Sequence, residues 1–62
     1  MSEHQILIGQ VFMDAKPPHR KWRVVDRRDA NFVLERLDKP NVRRFPDEPT
    51  LLDPEHYRPD GT

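Results

Sequence analysis

The chain has no cysteine, a single serine, two glycines and no long apolar run in its 62 residues. Each absence excludes some chemistry. Without cysteine there is no disulfide, no thiolate metal site and no thiol nucleophile. The one serine is Ser2, in a terminus, and Thr50 and Thr62 fall in a turn and a tail. A nucleophile–base pair therefore has almost no candidates. His4, His19 and His56 are too widely spaced to resemble a zinc site, so no metal and no cofactor are expected. The carboxylate pairs Asp47-Glu48 and Asp53/Glu55 read as a turn and a cap, because a chain this short has little room for the burial that shifts a catalytic pKa. The chain reads as non-enzymatic. No stretch approaches a membrane span, and MSEHQ lacks the basic and apolar regions of a signal peptide. A cytoplasmic location is the expectation, and absent cysteines fit a reducing compartment.

What remains is β-type sequence. Lys21 to Leu37 reads KWRVVDRRDANFVLERL, two runs rich in Trp, Val and Phe around the polar segment Arg28-Asp29-Ala30-Asn31. Such residues suit a pleated, half-buried surface, and Asp and Asn suit a turn. The pattern predicts a hairpin of Lys21–Arg27 and Asn31–Asp38. If paired positions sum to 58, Val24 faces Leu34, Val25 faces Val33, Arg23 faces Glu35 and Trp22 faces Arg36 in a cation–π contact. A sum of 59 would set Arg23 against Arg36, so 58 is preferred. It leaves a five-residue loop, Arg27–Asn31, with Asn31 left-handed.

The other elements follow from punctuation. Ile6–Met13 is a first strand, with Gly9 marking a bulge or bend. Pro17-Pro18 makes residues 14–20 a loop. Lys39-Pro40-Asn41-Val42 is a turn with Pro40 at its second position, and Val42–Phe45 is a fourth strand stopped by Pro46. Leu51-Leu52 is a candidate fifth strand. Asp53-Pro54 caps a single turn of 3₁₀ type, after which Tyr57 packs back. This is one domain, residues 6–58, with 1–5 and 59–62 as flexible termini. The core draws on Ile6, Leu7, Ile8, Val11, Phe12, Met13, Trp22, Val24, Val25, Phe32, Val33, Leu34, Leu37, Val42, Phe45, Leu51, Leu52 and Tyr57, anchored by Trp22, whose indole N–H should reach a carbonyl or water.

This order of parts (a Gly-containing strand, a Pro loop, a W-x-V strand, a hairpin, a short strand and a terminal turn) resembles the SH3-like small barrels, including KOW- and Tudor-type domains. The likeness covers roughly residues 6–57 and is architectural. It implies an all-β fold, a four- to five-stranded barrel, and leaves the ligand open. Leu51-Leu52-Asp53-Pro54 through Tyr57-Arg58-Pro59 is also similar to short bacterial proteins without an assigned activity.

Formal net charge is zero, but it is segregated. Residues 16–44 hold ten basic side chains against four acidic ones, and residues 45–62 hold one against five. This fits a polyanion-binding face, and equally an acidic tail folded onto a basic sheet. Arg20, Lys21, Arg23, Arg27, Arg28, Arg43 and Arg44 are the candidate nucleic-acid-binding residues, with Arg23 and Arg27 on one face of the hairpin. The other expectation is a protein-interaction or self-association module using the Pro17-Pro18 loop and a strand edge.

Overall fold

A computed structural model describes residues 6–60, so the expectations for residues 1–5, 61 and 62 lie outside the described residues. Five strands and one short helix follow in chain order: β1 (Val11–Asp14), β2 (Lys21–Arg28), β3 (Asn31–Arg36), β4 (Arg43–Arg44), α1 (Glu48–Leu51) and β5 (Tyr57–Pro59). All pairings are antiparallel, and the sheet order is β4-β3-β2-β1-β5. The chain is thus mainly β, as expected, with β5 returning beside β1. Among the described residues no backbone ladder joins the outer strands β4 and β5, so closure into a barrel is not seen.

The hairpin keeps the expected register over its first half. Trp22 faces Arg36, Arg23 faces Glu35 and Val24 faces Leu34. Beyond Val24 it departs: Asp26 faces Val33, Arg27 faces Phe32 and Arg28 faces Asn31, leaving Val25 as an unpaired bulge. Two local demands conflict here. Core packing of Val24 on Leu34 needs an even sum. A two-residue turn, Asp29-Ala30, needs an odd one. One extra residue in β2 satisfies both. The predicted five-residue loop is therefore a tight turn, and the left-handed residue is Asp29 (φ 50°) rather than Asn31. Asn31 instead donates its side-chain amide to the Phe45 carbonyl at 2.8 Å.

Other boundaries also move. Gly9 (φ 96°) lies in a turn ahead of β1, not inside a strand, and its N–H donates to the Val24 carbonyl at 2.7 Å. Val42 N–H closes the Pro40-Asn41 turn on the Lys39 carbonyl at 2.9 Å, with Asn41 at negative φ. The predicted fifth strand at Leu51-Leu52 is instead the end of α1. Asp47 caps this helix by accepting the Thr50 N–H at 3.1 Å, with Pro49 in its first turn. The turn after Asp53 is present: its carbonyl accepts the N–H groups of His56 and Tyr57 at 2.9 and 3.0 Å. Sheet structure extends past residue 58: Pro59 is in β5 and Asp60 N–H donates to the Val11 carbonyl at 2.9 Å.

The core is smaller than the sequence promises. Phe12, Trp22, Val24, Phe32, Leu34, Leu51 and Tyr57 form one buried cluster, with Ile6 and Val42 against it. Alternation accounts for Trp22 and Val24 on β2 and for Phe32 and Leu34 on β3, and Val33 is also buried. Leu7, Ile8, Leu37, Phe45 and Leu52 are exposed, contrary to expectation, because they sit in turns and segments outside the strands. Trp22 is the largest buried side chain, as expected. Its indole N–H has no hydrogen-bond partner among the described residues, so the expected contact to a backbone carbonyl is not made.

Three aspartates should make the fold sensitive to acid. Hydrogen bonds from the Arg36 guanidinium to Asp38, from Thr50 to Asp47 and from the Glu55 backbone N–H to Asp53 each hold a carboxyl below its ordinary range. The folded chain therefore binds fewer protons than the unfolded chain, and protonation favours unfolding. Stability should be complete above about pH 5 and fall as pH drops through about 4 and below. A series of thermal melts checks this. A midpoint that stays level down to pH 3 would contradict it.

Candidate binding cleft

The seven basic residues singled out by sequence do not form one face. The Val25 bulge separates them. Arg23 shares the outer face with Glu35 and Arg43, whereas Arg27 turns inward and lies over the Phe32 ring at 5.3 Å. A one-residue shift sends every following side chain to the opposite face, so Arg23 and Arg27 do not share a face as expected. Carboxylates neutralise much of the rest. Lys21 pairs with Asp60 at 3.1 Å, Arg28 with Asp26 at 3.6 Å and Arg43 with Glu35 at 3.0 Å. Asp60 belongs to the acidic tail, so that tail does dock in part on the basic sheet.

Arg44 has a structural task. On two-residue β4, Arg43 points outward and Arg44 faces Leu34 on the inner side. Its guanidinium lies over the Trp22 ring at 4.1 Å, so the cation–π partner of Trp22 is Arg44, not the predicted Arg36. Arg36 is instead held by Asp38 through two hydrogen bonds of 2.6 and 3.1 Å. The same Arg44 nitrogen donates to Asp14 at 3.0 Å and to the Tyr57 hydroxyl at 3.2 Å. Partial burial disfavours its charge, but the bonds to Tyr57 and Asp14 outweigh that and hold its pKa above the ordinary range. One side chain thus links the outer strands β4 and β5, where a closed barrel would have a ladder.

Next to Arg44 lies a cleft of about 800 Å³. One wall is the β1–β2 loop, with Ala15, Lys16, Pro17, Pro18 and Arg20, and the other is Pro54, Glu55, His56 and Arg58, with Asp14 and Arg44 also lining it. The walls are tied at their base by Ala15 N–H donating to the His56 carbonyl at 3.0 Å. The loop is closed by Asp14 N–H on the Arg20 carbonyl and His19 N–H on the Lys16 carbonyl. His19 (φ 60°) also donates from Nδ1 to the Asp14 carbonyl at 3.0 Å. In the facing turn, Asp53 accepts the Glu55 N–H at 2.9 Å and holds His56 Nδ1 at 3.2 Å. Both walls are therefore held by the chain's own hydrogen bonds.

No family model, curated protein or solved structure was found to match this chain.

The charge of the cleft favours anions. Asp14 is already engaged by Arg44. That leaves Lys16, Arg20 and Arg58, none in an ion pair among the described residues, against the single carboxylate of Glu55. Lys16 and Arg58 were missed by the sequence reading. Their only signal was adjacency to prolines, Lys16 before Pro17-Pro18 and Arg58 before Pro59, which says nothing about which cations converge. Among the described residues no cluster of three or more His, Asp or Glu could hold a metal, and no helix is long and apolar enough to cross a membrane.

The strand edges offer less. Asp60 and His56 bond to β1, so Tyr57 and Pro59 face the free edge of β5. The Tyr57 N–H is used by Asp53, and Pro59 has none, so that edge has no donor to spare at either position. On β4 the outward backbone pair belongs to Arg43, flanked by Arg44, and a charged edge this short discourages strand addition.

Proposed function

We propose that the protein is a non-catalytic binding module that takes an acidic segment of a protein partner in the cleft between the Pro17-Pro18 loop and the Pro54–His56 turn. The observation that carries this is the convergence of Lys16, Arg20 and Arg58 on one preformed cleft whose internal carboxylate, Asp14, is already satisfied by Arg44. Three prolines and Ala15 add apolar wall, which suits a peptide better than a bare phosphate chain. The strand order, with β5 beside β1 and a side chain across the gap to β4, supports a relationship in shape to SH3-like barrels. Nucleic-acid binding through the hairpin has less support. Four of its seven cations are in ion pairs. Trp22, Phe12, Phe32 and Tyr57 are buried, so the one aromatic ring left for a base to stack on is Phe45, 61% exposed.

The test is fluorescence anisotropy at low salt with a labelled glutamate-rich octapeptide and a labelled oligothymidine. Arg20→Ala with Arg58→Ala should weaken peptide binding by about tenfold, and Arg27→Ala with Arg28→Ala should leave it within about twofold. Glu55→Gln should tighten it by about twofold to threefold by removing a like charge. Loss of binding in the hairpin variant alone, or preference for the oligothymidine, would reject the cleft.

A further inference from the structure

A second, smaller cleft of about 500 Å³ adjoins the first, and Pro18 and Arg20 line both. Its remaining walls are His19, Lys21, Leu37 and Asp38. The chemistry differs between the two. Here Lys21 is paired with Asp60, and Asp38 is held by Arg36, so the local charges are internally satisfied. The large apolar side chain in it is Leu37, which is 40% exposed. Its backbone is fixed by Leu37 N–H donating to the Lys21 carbonyl at 3.0 Å, so the side chain stands at the end of the sheet on a rigid anchor. Between the clefts, Pro18 presents a ring without a backbone donor. A chain can cross that ring without breaking a hydrogen bond.

We propose that the partner segment is extended and bipartite, with a carboxylate among Lys16, Arg20 and Arg58 in the first cleft and an apolar side chain on Leu37 in the second, its backbone crossing Pro18. This rests on the cleft reading above and adds the composition of the ligand. Charge complementarity selects the acidic end. The unsatisfied apolar surface of Leu37, in a cleft that shares walls with the first, selects the other. An extended chain advances about 3.3 Å per residue, so a three-residue spacing spans about 10 Å.

The probes are four fluorescein-labelled octapeptides in a Gly/Ser background: a glutamate pair alone, a leucine alone, and two that combine them, with the leucine three residues before or after the pair. The combined peptide should bind on the order of fivefold tighter than the glutamate pair alone, the gain expected from partly burying one leucine. Leu37→Ser should erase that gain and leave the glutamate-only peptide unchanged. Backbone amide shifts at Leu37 should move with the combined peptide and not with the glutamate-only one. If the glutamate peptide binds but leucine adds nothing, or the gain survives Leu37→Ser, the bipartite ligand is overturned and the cleft stands. If no peptide binds, or binding ignores Arg20→Ala, the cleft itself is wrong and the inference goes with it.

Discussion

Trp22→Ala should abolish cooperative folding, whereas Trp22→Phe should leave a folded and weaker domain. Trp22 is 1% exposed and is the largest fully buried side chain. It sits in the second strand, paired on one side with Phe12 and on the other with Arg36, and it belongs to the single buried cluster. Truncating a buried tryptophan to alanine costs about 3–5 kcal/mol, because the void is only partly filled. A chain of 62 residues has roughly 3–9 kcal/mol of total stability. Without a disulfide to hold a loosened core, most of that reserve disappears. Phenylalanine keeps most of the ring volume and leaves a far smaller void than alanine, and like alanine it removes the indole N–H. That group is buried without a hydrogen-bond partner among the described residues, and such a group costs about 1–3 kcal/mol. Removing it offsets part of the lost volume, so Trp22→Phe should cost about 1–2 kcal/mol. Urea unfolding followed by far-UV circular dichroism measures both. A Trp22→Phe loss well above about 2 kcal/mol would mean that the N–H is satisfied after all.

The strand content was legible because β2 and β3 carry strong local signals that agree with their burial. Trp22, Val24, Phe32 and Leu34 alternate inward, and charge repulsion between Arg23 and Arg36 correctly excluded the competing register near the core. The bulge was not legible. It arises from a disagreement between core register and turn register, each locally reasonable, and nothing in Val25 itself marks it as the residue left over. That one residue decides which arginines share a face, so the hairpin patch drawn from a regular ladder fails at Arg27. Terminal elements were blurred for a related reason. Asp47-Glu48-Pro49 and Asp53-Pro54-Glu55 carry nearly the same capping signal, and only tertiary packing of Leu51 makes the first of them a helix. The cleft depends on contacts between residues 14–20 and 54–58. A separation of that length is invisible to local pattern, and charge counting by segment placed Arg58 with the acidic tail.

Neighbouring arginines should behave as opposites: Arg44→Ala is expected to cost about 2 kcal/mol, and Arg43→Ala less than about 0.5 kcal/mol. They share a two-residue strand, but alternation puts Arg43 outside, in an exposed pair with Glu35, and Arg44 over Trp22. An exposed ion pair contributes little once side-chain entropy and screening are counted. Arg44 combines the ring contact at 4.1 Å with bonds to Asp14 and Tyr57. It also lids a tryptophan at the open side of the sheet. Arg44→Lys should fall between the two, since an ammonium can still meet Asp14 but cannot lie flat on the indole while donating to Tyr57. A double-mutant cycle of Arg44→Ala with Trp22→Phe separates the ring contact from the rest. A coupling of about 1 kcal/mol is expected, because phenylalanine offers a weaker face to the cation. Tryptophan emission gives an independent readout: Arg44→Ala should shift it to the red by admitting water, and Arg43→Ala should leave it in place. Additive losses with unshifted emission would show that Arg44 merely rests on the surface. The link between β4 and β5 would then have to be sought in the packing of Tyr57.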